Sequence, residues 1–391
     1  MTETPQQAYI SKVHLKGYKS IRDLEIDFKP GLNIIIGPNG SGKTNFLEFL
    51  HRQFNNNRKV ELDDNNTEIT FHIDKTQYEN HIKSEIQSSS DGFLYSIDDK
   101  LYKEKKTLFH RKTYYNEEGI LTSLEQKAGY NEKWEIFKEP LVFVRHGNLL
   151  TEALTKGSSF QIKFTKKRML FVTRVKGIYP SSFKSNFEKA TNPEIDNLAQ
   201  YFLFEKYIID ILKKYSPIQD VKFDTKIIHQ YRELDGNVVV DNIFLLFKIN
   251  NNWLQWTQLS DGTKRLFYIL TYILDLYSKR KIFFLEEPEL GIHPDQLHKL
   301  MDFLIEQSKE KQIIITTHSP EVLNAIHPDE LDRIIVTRYD ADKGTIMHKL
   351  TPEQAKEMGE RVKEGDMFLS DRWVHLNLED EIFNATKLNE K

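Results

Sequence analysis

Residues 37 to 44 read Gly-Pro-Asn-Gly-Ser-Gly-Lys-Thr, a spacing of glycines and one lysine suited to holding the phosphates of a nucleoside triphosphate. Gly37, Gly40 and Gly42 let the backbone bend so that successive N–H groups point inward. Lys43 can reach the outer phosphates, and the Thr44 hydroxyl can hold Mg²⁺. A second group with chemical potential follows the apolar run Ile282-Phe283-Phe284-Leu285, which ends in Glu286-Glu287-Pro288-Glu289. Glu286 is expected to act on Mg²⁺, directly or through water, because a hard cation bridging phosphate oxygens takes carboxylate oxygens. Glu287 is expected to polarise the water that attacks the γ-phosphate. A third run, Gln312 to Thr317, leads into His318-Ser319-Pro320, and His318 is expected to sense or stabilise that phosphate. The plainer readings are an acidic turn after a strand and a surface histidine.

These residues can cooperate only if the chain brings them to one place. The run Leu32 to Ile36 before the loop has the composition of a buried strand, and Asn45 to Leu50 after it that of a helix. Two further apolar runs, each preceded by a helical pattern, read as buried parallel strands. In open α/β sheets ligands sit beyond the carboxyl ends of the strands, so three strands ending in polar residues predict one shared site. The alternation predicts an α/β fold with a mostly parallel sheet covered on both faces. Residues 9 to 36 form two shorter strands first, carrying Ile10, Val13 and Leu15, then Leu24, Ile26 and Phe28. From about 51 to 190 short alternating runs predict a mostly β insertion without heptads. An amphipathic helix is predicted over 194–215 from the spacing of Ile195, Leu198, Phe202, Ile209 and Leu212, with strands at 219–231 and 243–249.

The chain has 391 residues, 39% hydrophobic and 29% charged, enough for a large core in two domains or one domain with an insertion. Its formal net charge of −3 does not by itself point to nucleic acid. The absence of cysteine excludes disulfides and thiolate chemistry. No apolar run approaches membrane-spanning length, so a cytoplasmic protein with no membrane partner is expected.

Together these residues resemble the ABC-type ATPases of the SMC, RecF and OLD branch, bacterial AAA-like P-loop enzymes. Gly37 to Asn45 resembles the family's Walker A loop, which implies ATP contacts from Asn39, Gly40, Ser41, Gly42, Lys43, Thr44 and Asn45. Leu285 to Glu289 resembles Walker B, Gly291 to Pro294 the D-loop, and Thr317 to Pro320 the switch histidine. Leu259 to Lys264 resembles the signature motif. The resemblance implies that Ser260 and Gly262 contact ATP held by an opposite subunit, so that hydrolysis takes a head-to-tail dimer. Read alone, Ser260 is an ordinary helix N-cap. Glu286 stands where many members have Asp, and Asp261 where many have Gly. The Q-loop glutamine is unassigned between Gln126 and Gln161. The likeness covers roughly residues 8 to 50 and 240 to 340.

The implied organisation is an ABC-ATPase head with a β-rich insertion. Its parts are a Walker A lobe at 1–50, the insertion and a helix at 51–215, a second lobe at 216–349, and a tail at 350–391, with a helix expected from Pro352 to Lys363, that can dock a partner. The implied function is an ATPase that self-assembles and controls a separate effector, a nuclease or toxin, as in anti-phage systems of the OLD, Septu and PARIS kinds. Only about 70 residues follow His318, short of the C-terminal Toprim nuclease that OLD-type proteins often carry, so any nuclease is expected to be a separate protein. The alternative is a RecF-like DNA-binding ATPase of recombination or repair. Nucleic acid could be gripped by the basic segments 103–112 and 163–176, which a solvated strand face explains as well.

Overall fold

The chain begins with β1 (Ala8–Tyr18), β2 (Ile21–Asp27), β3 (Leu32–Ile36) and α1 (Lys43–Phe54), then β4 (Asn65–Ile73), β5 (Thr76–Ser89), β6 (Gly92–Lys103), β7 (Lys106–Tyr115) and β8 (Leu121–Ala128). The middle holds β9 (Phe160–Phe164), β10 (Met169–Thr173), β11 (Phe183–Ser185), β12 (Phe202–Phe204), α2 (Lys206–Tyr215), β13 (Asp220–Asp224), β14 (His229–Arg232), β15 (Val238–Ile249), β16 (Asn252–Gln255) and α3 (Asp261–Ile273). The remainder is β17 (Ile282–Glu286), α4 (Pro294–Ser308), β18 (Gln312–Thr317), β19 (Ile334–Asp340), β20 (Gly344–Lys349), α5 (Pro352–Lys363) and α6 (Leu369–His375). This computed structural model describes residues 8–54, 65–73, 75–89, 92–115, 121–128, 160–164, 169–173, 183–185, 202–204, 206–224, 229–232, 238–274, 281–365 and 368–375. The chain divides into two compact units, one of Met1–Arg145, Lys279–Pro288 and Leu304–Lys391, the other of His146–Ser278 and Glu289–Phe303.

The first unit is built on one twelve-stranded sheet in the order β17-β18-β3-β19-β20-β2-β1-β4-β5-β6-β7-β8. β17, β18, β3 and β19 pair in parallel. Their apolar side chains are buried on both faces, which is why their sequences read as continuous Ile/Phe runs. From β20 onward the pairing is antiparallel, and the sequences alternate instead. β1 buries Ile10, Val13 and Leu15, while its outer face carries paired charges such as Lys12–Glu25 at 2.6 Å and Lys16–Asp23 at 2.8 Å. β4 to β8 lie within the stretch expected as an insertion from residue 51, and they continue this same sheet through β1.

Helix α1 supplies Phe46, Leu47, Phe49 and Leu50 to a single core. That core also takes Ile35, Ile282, Phe284 and Ile314 from the parallel strands, and Ile10, Val13, Leu15, Leu24 and Ile26 from the antiparallel ones. The sheet thus curls around α1. β1 and β18 share no strand pairing, yet they meet through the side chain of Gln312, which is 1% exposed. Its amide accepts from the Ile10 N–H at 2.8 Å and donates to the carbonyls of Ile10 at 2.8 Å and Lys29 at 2.9 Å. A buried glutamine here serves as a short length of strand.

In the second unit β15 is the organising strand. It pairs antiparallel with β9, β13, β14 and β16. Trp256 packs its ring 5.6 Å from Phe247, 5.9 Å from Phe267 and 5.2 Å from Tyr268, tying α3 to that sheet. The helix expected over 194–215 is shorter: α2 starts at Lys206, and the aromatic Phe202-Leu203-Phe204 pairs as a strand with β11. Ile195 and Leu198 lie outside the described residues. No helix among the described residues is long and apolar enough to cross a membrane.

Replacing Gln312 by Leu keeps the bulk but strands the Ile10 N–H and C=O in the core. At the usual cost of an unsatisfied buried group the variant loses about 2–4 kcal/mol, read as a lower midpoint in denaturant melts.

Candidate active site

The in-register parallel pairing of three strands builds the site. Glu286 on β17 stands opposite Thr316 on β18, and Thr316 opposite Ile35 on β3. One residue further, Thr317 is level with Ile36, and its carbonyl accepts from the Gly37 N–H at 3.4 Å. The strand ends therefore deliver Glu286-Glu287, His318 and the phosphate loop side by side. The Thr44 hydroxyl, on the first turn of α1, donates to Glu286 Oε1.

Glu287 is held in an uncommon backbone conformation. Its φ is +44°, a left-handed region that costs a residue with a β-carbon on the order of 1–2 kcal/mol. The Glu287 N–H donates to the Thr316 carbonyl at 2.8 Å, which fixes the turn. The side chain then lies with Oε1 3.4 Å from His318 Nδ1. His318 is exposed and Glu287 half-buried, so both face accessible space.

Within the loop, Gly40 and Gly42 adopt φ of +81° and +98°. A β-carbon at Gly42 would lie 2.0 Å from Thr345 Oγ1, and one at Gly37 2.0 Å from the Thr337 carbonyl oxygen, whereas Gly40 faces open space. The loop is pressed against β19 and β20 at two points and free between them. Lys43 is 5% exposed and its ammonium donates to the carbonyls of Gly37 at 2.7 Å and Pro38 at 2.9 Å. The Ser41 hydroxyl is buried without a hydrogen-bond partner. Asn39 is exposed at the loop's crest.

Two residues that motif reading missed support the loop. Asn45 donates through Nδ2 to Ser20 Oγ at 2.7 Å, and Ser20 Oγ lies 2.8 Å from Thr345 Oγ1. Ser20 follows Lys19, whose φ of +48° marks the tight turn between β1 and β2. The nearest sequence signal was a break between two alternating runs. Nothing local points from residue 20 to residue 345.

The signature residues lie in the second compact unit. Ser260 is the N-cap of α3 and accepts from the Thr263 N–H at 3.2 Å. A β-carbon at Gly262 would come within 2.3 Å of the Gly291 carbonyl oxygen, so the D-loop sits directly on the start of α3. Of the basic segments, 103–112 includes the β6–β7 turn at Glu104 and Lys105, with φ of +48° and +69°. Its Arg111 and Lys112 lie over the rings of Phe109 and Tyr114. Segment 163–176 takes in the end of β9 and all of β10, but its side chains, like those of Gln126 and Gln161, lie outside the described residues. In the tail, α5 begins at the Thr351 cap and spans the residues expected for it. Leu369 is buried and Phe368 is 68% exposed.

The loop, the carboxylate pair and the histidine all lie within residues 32–324, the stretch of the chain that matches the family model described as "AAA domain, putative AbiEii toxin, Type IV TA system". The chain belongs to this family. Among relatives of this AAA-domain protein, the Septu protein PtuA of Bacillus thuringiensis is 22% identical over 376 residues, covering 91% of this chain and 82% of that protein. The DNA replication and repair protein RecF of Streptococcus agalactiae serotype Ia is 31% identical over 97 residues, which span 23% of this chain and 26% of RecF. Among solved structures, an SMC head bound to the C-winged helix domain of ScpA aligns with 89% of this chain and 99% of its own, at a TM-score of 0.49 and 16% identity. The fold is of the α/β class, with the phosphate loop on a parallel strand of a mixed sheet.

The two left-handed loop glycines separate strain from clash. Gly40→Ala meets no atoms and costs about 1 kcal/mol of stability from its φ alone. Gly42→Ala also collides with Thr345, and its thermal midpoint falls further than that of Gly40→Ala in parallel melts.

Proposed function

We propose that this protein binds ATP with Mg²⁺ and hydrolyses it. In the same proposal two copies complete each other's ATP sites, and the assembly acts as a sensor or scaffold controlling a separate effector, a nuclease or toxin, in bacterial anti-phage defence. The observation that carries the reading is the meeting of Lys43, Thr44, Glu286, Glu287 and His318 at the ends of β3, β17 and β18. The residues fit the nucleotide and its cation. The loop approaches β19 and β20 too closely for side chains at Gly37 and Gly42, the buried Ser41 hydroxyl lacks a partner, and Thr44 and Glu286 present two hard oxygen donors to each other.

Bound Mg²⁺ supplies charge neutralisation between the phosphates. In this reading Asn39 to Asn45 hold the triphosphate, with Lys43 exchanging its carbonyl partners for phosphate oxygens. Glu287 orients a water and takes its proton, and His318 steadies that carboxylate and the γ-phosphate. Ser260 and Gly262 belong to the opposite copy's nucleotide, offered at a helix N-terminus where the dipole favours negative charge. Similarity to the Septu protein PtuA over most of both chains supports the placement in defence.

A second reading, a DNA-binding ATPase of recombination or repair, draws on the RecF similarity and on Lys103, Lys105 and Lys106 at the β6–β7 turn. It weighs less because outer-face lysines of the sheet are matched by acids, as in Lys83–Glu85 and Lys100–Asp98. ATP-strengthened DNA affinity that falls steeply with salt is the result that favours it. Co-purification of a neighbouring gene product with the protein is the result that favours effector control.

Lys43→Ala is expected to abolish ATP binding in equilibrium titrations. Glu287→Gln is expected to bind ATP, to run as a dimer on size exclusion, and to turn over about 10²–10⁴-fold more slowly. Near-native turnover in Glu287→Gln overturns the role given to that carboxylate.

A further inference from the structure

Thr316 is the last but one residue of β18, wholly buried, and its hydroxyl has no hydrogen-bond partner. Buried hydroxyls are nearly always satisfied, so such an orphan needs an explanation. Its position is specific. In the parallel register Thr316 is flanked by Glu286 on one side and Ile35 on the other. Side chains two apart in a strand share a face, and Ile314, two residues earlier, packs into the α1 core together with Ile35 and Phe284. Thr316 therefore stands on the face of the sheet from which Glu286 reaches the Thr44 hydroxyl of α1. Its neighbour Thr317 differs: that hydroxyl accepts from the Ser319 N–H at 2.9 Å and belongs to the turn.

We propose that the Thr316 hydroxyl is a further oxygen of the divalent-cation site, hydrogen-bonding to a water that Mg²⁺ holds alongside Thr44 and Glu286. The inference rests on the ATP and Mg²⁺ reading above. Mg²⁺ gives up its waters reluctantly and keeps several of them in protein sites. Those waters take up acceptors from the surrounding residues, and a hydroxyl can both accept from a water and donate onward. The one unsatisfied hydroxyl on the strand beside Glu286 is placed for that role. If the threonine were there only for its β-branched shape in a strand, valine would serve equally.

Thr316→Val and Thr316→Ser decide between these. Binding of a fluorescent ATP analogue to the full-length protein is titrated against Mg²⁺ and repeated in EDTA, with melting of each variant without nucleotide as the control. Thr316→Val removes only the orphaned hydroxyl, so its melting temperature is unchanged or higher. Its half-saturating Mg²⁺ concentration rises about three- to tenfold, the worth of one hydrogen bond, while binding in EDTA matches wild type. Thr316→Ser restores the wild-type Mg²⁺ dependence. Wild-type Mg²⁺ dependence in Thr316→Val, or a Thr316→Ser that behaves like Thr316→Val, overturns the assignment. A wild-type protein that binds no ATP analogue at any Mg²⁺ concentration fails at the earlier step and takes this assignment with it.

Discussion

The parallel register of β17, β18 and β3 is the constraint on which the rest depends. A shift of one residue in either pairing would move Glu286 off the row that faces α1 and turn it to the opposite side of the sheet. The contact between Thr44 and Glu286 exists because strand and helix are both fixed by apolar packing that has nothing to do with phosphate. Ile282, Phe284, Ile314 and Ile35 lie against Phe46, Leu47 and Leu50 in one cluster. Each such side chain contributes on the order of 1.5–3 kcal/mol by leaving water. The polar ends of the strands can thus hold exposed carboxylates and a strained residue without unravelling.

The same core explains why the sheet curls. α1 has apolar side chains on more than one face, so a flat sheet on one side would leave part of the helix wet. The antiparallel strands β1, β2 and β4 close over it, and Gln312 supplies the hydrogen bonds where β1 and β18 meet without a ladder. Ser20 sits at the turn of that returning layer, which carries it to Asn45 and the loop. Loop support is thus a by-product of closing the core.

Much of this was legible in the sequence because the signals are local. The phosphate loop, the two apolar strands with their polar ends, the β1–β2 hairpin and the helix at 352–363 each follow from residues close together in the chain. What stayed hidden depends on distant partners. Ser20 and Thr345 form a pair across 325 positions, and Gln312 reaches Ile10 across 302. β4 to β8 read as strands by alternation, but alternation says nothing about which edge they join. The start of α2 was misplaced because Phe202, Leu203 and Phe204 suit a helical stripe and a strand equally, and only pairing with β11 decides it.

The geometry around Lys43 and Glu287 suggests how such a site stays poised. A buried ammonium is tolerable only when its hydrogens are satisfied, and the loop's own carbonyls at Gly37 and Pro38 do this. Phosphate oxygens offer the same ammonium charged partners, and charge-assisted bonds are the stronger kind. Under the proposed ATP reading that exchange needs no change of loop backbone, since Gly37 and Gly42 are already pinned against Thr337 and Thr345. Glu287 is the complementary case, with strain held in its backbone by one hydrogen bond to Thr316. Relaxing that turn would swing the carboxylate away from His318. The strained conformation is stable because the strand beneath it is buried along its apolar length, so the rigidity of the sheet is what keeps the polar end in place.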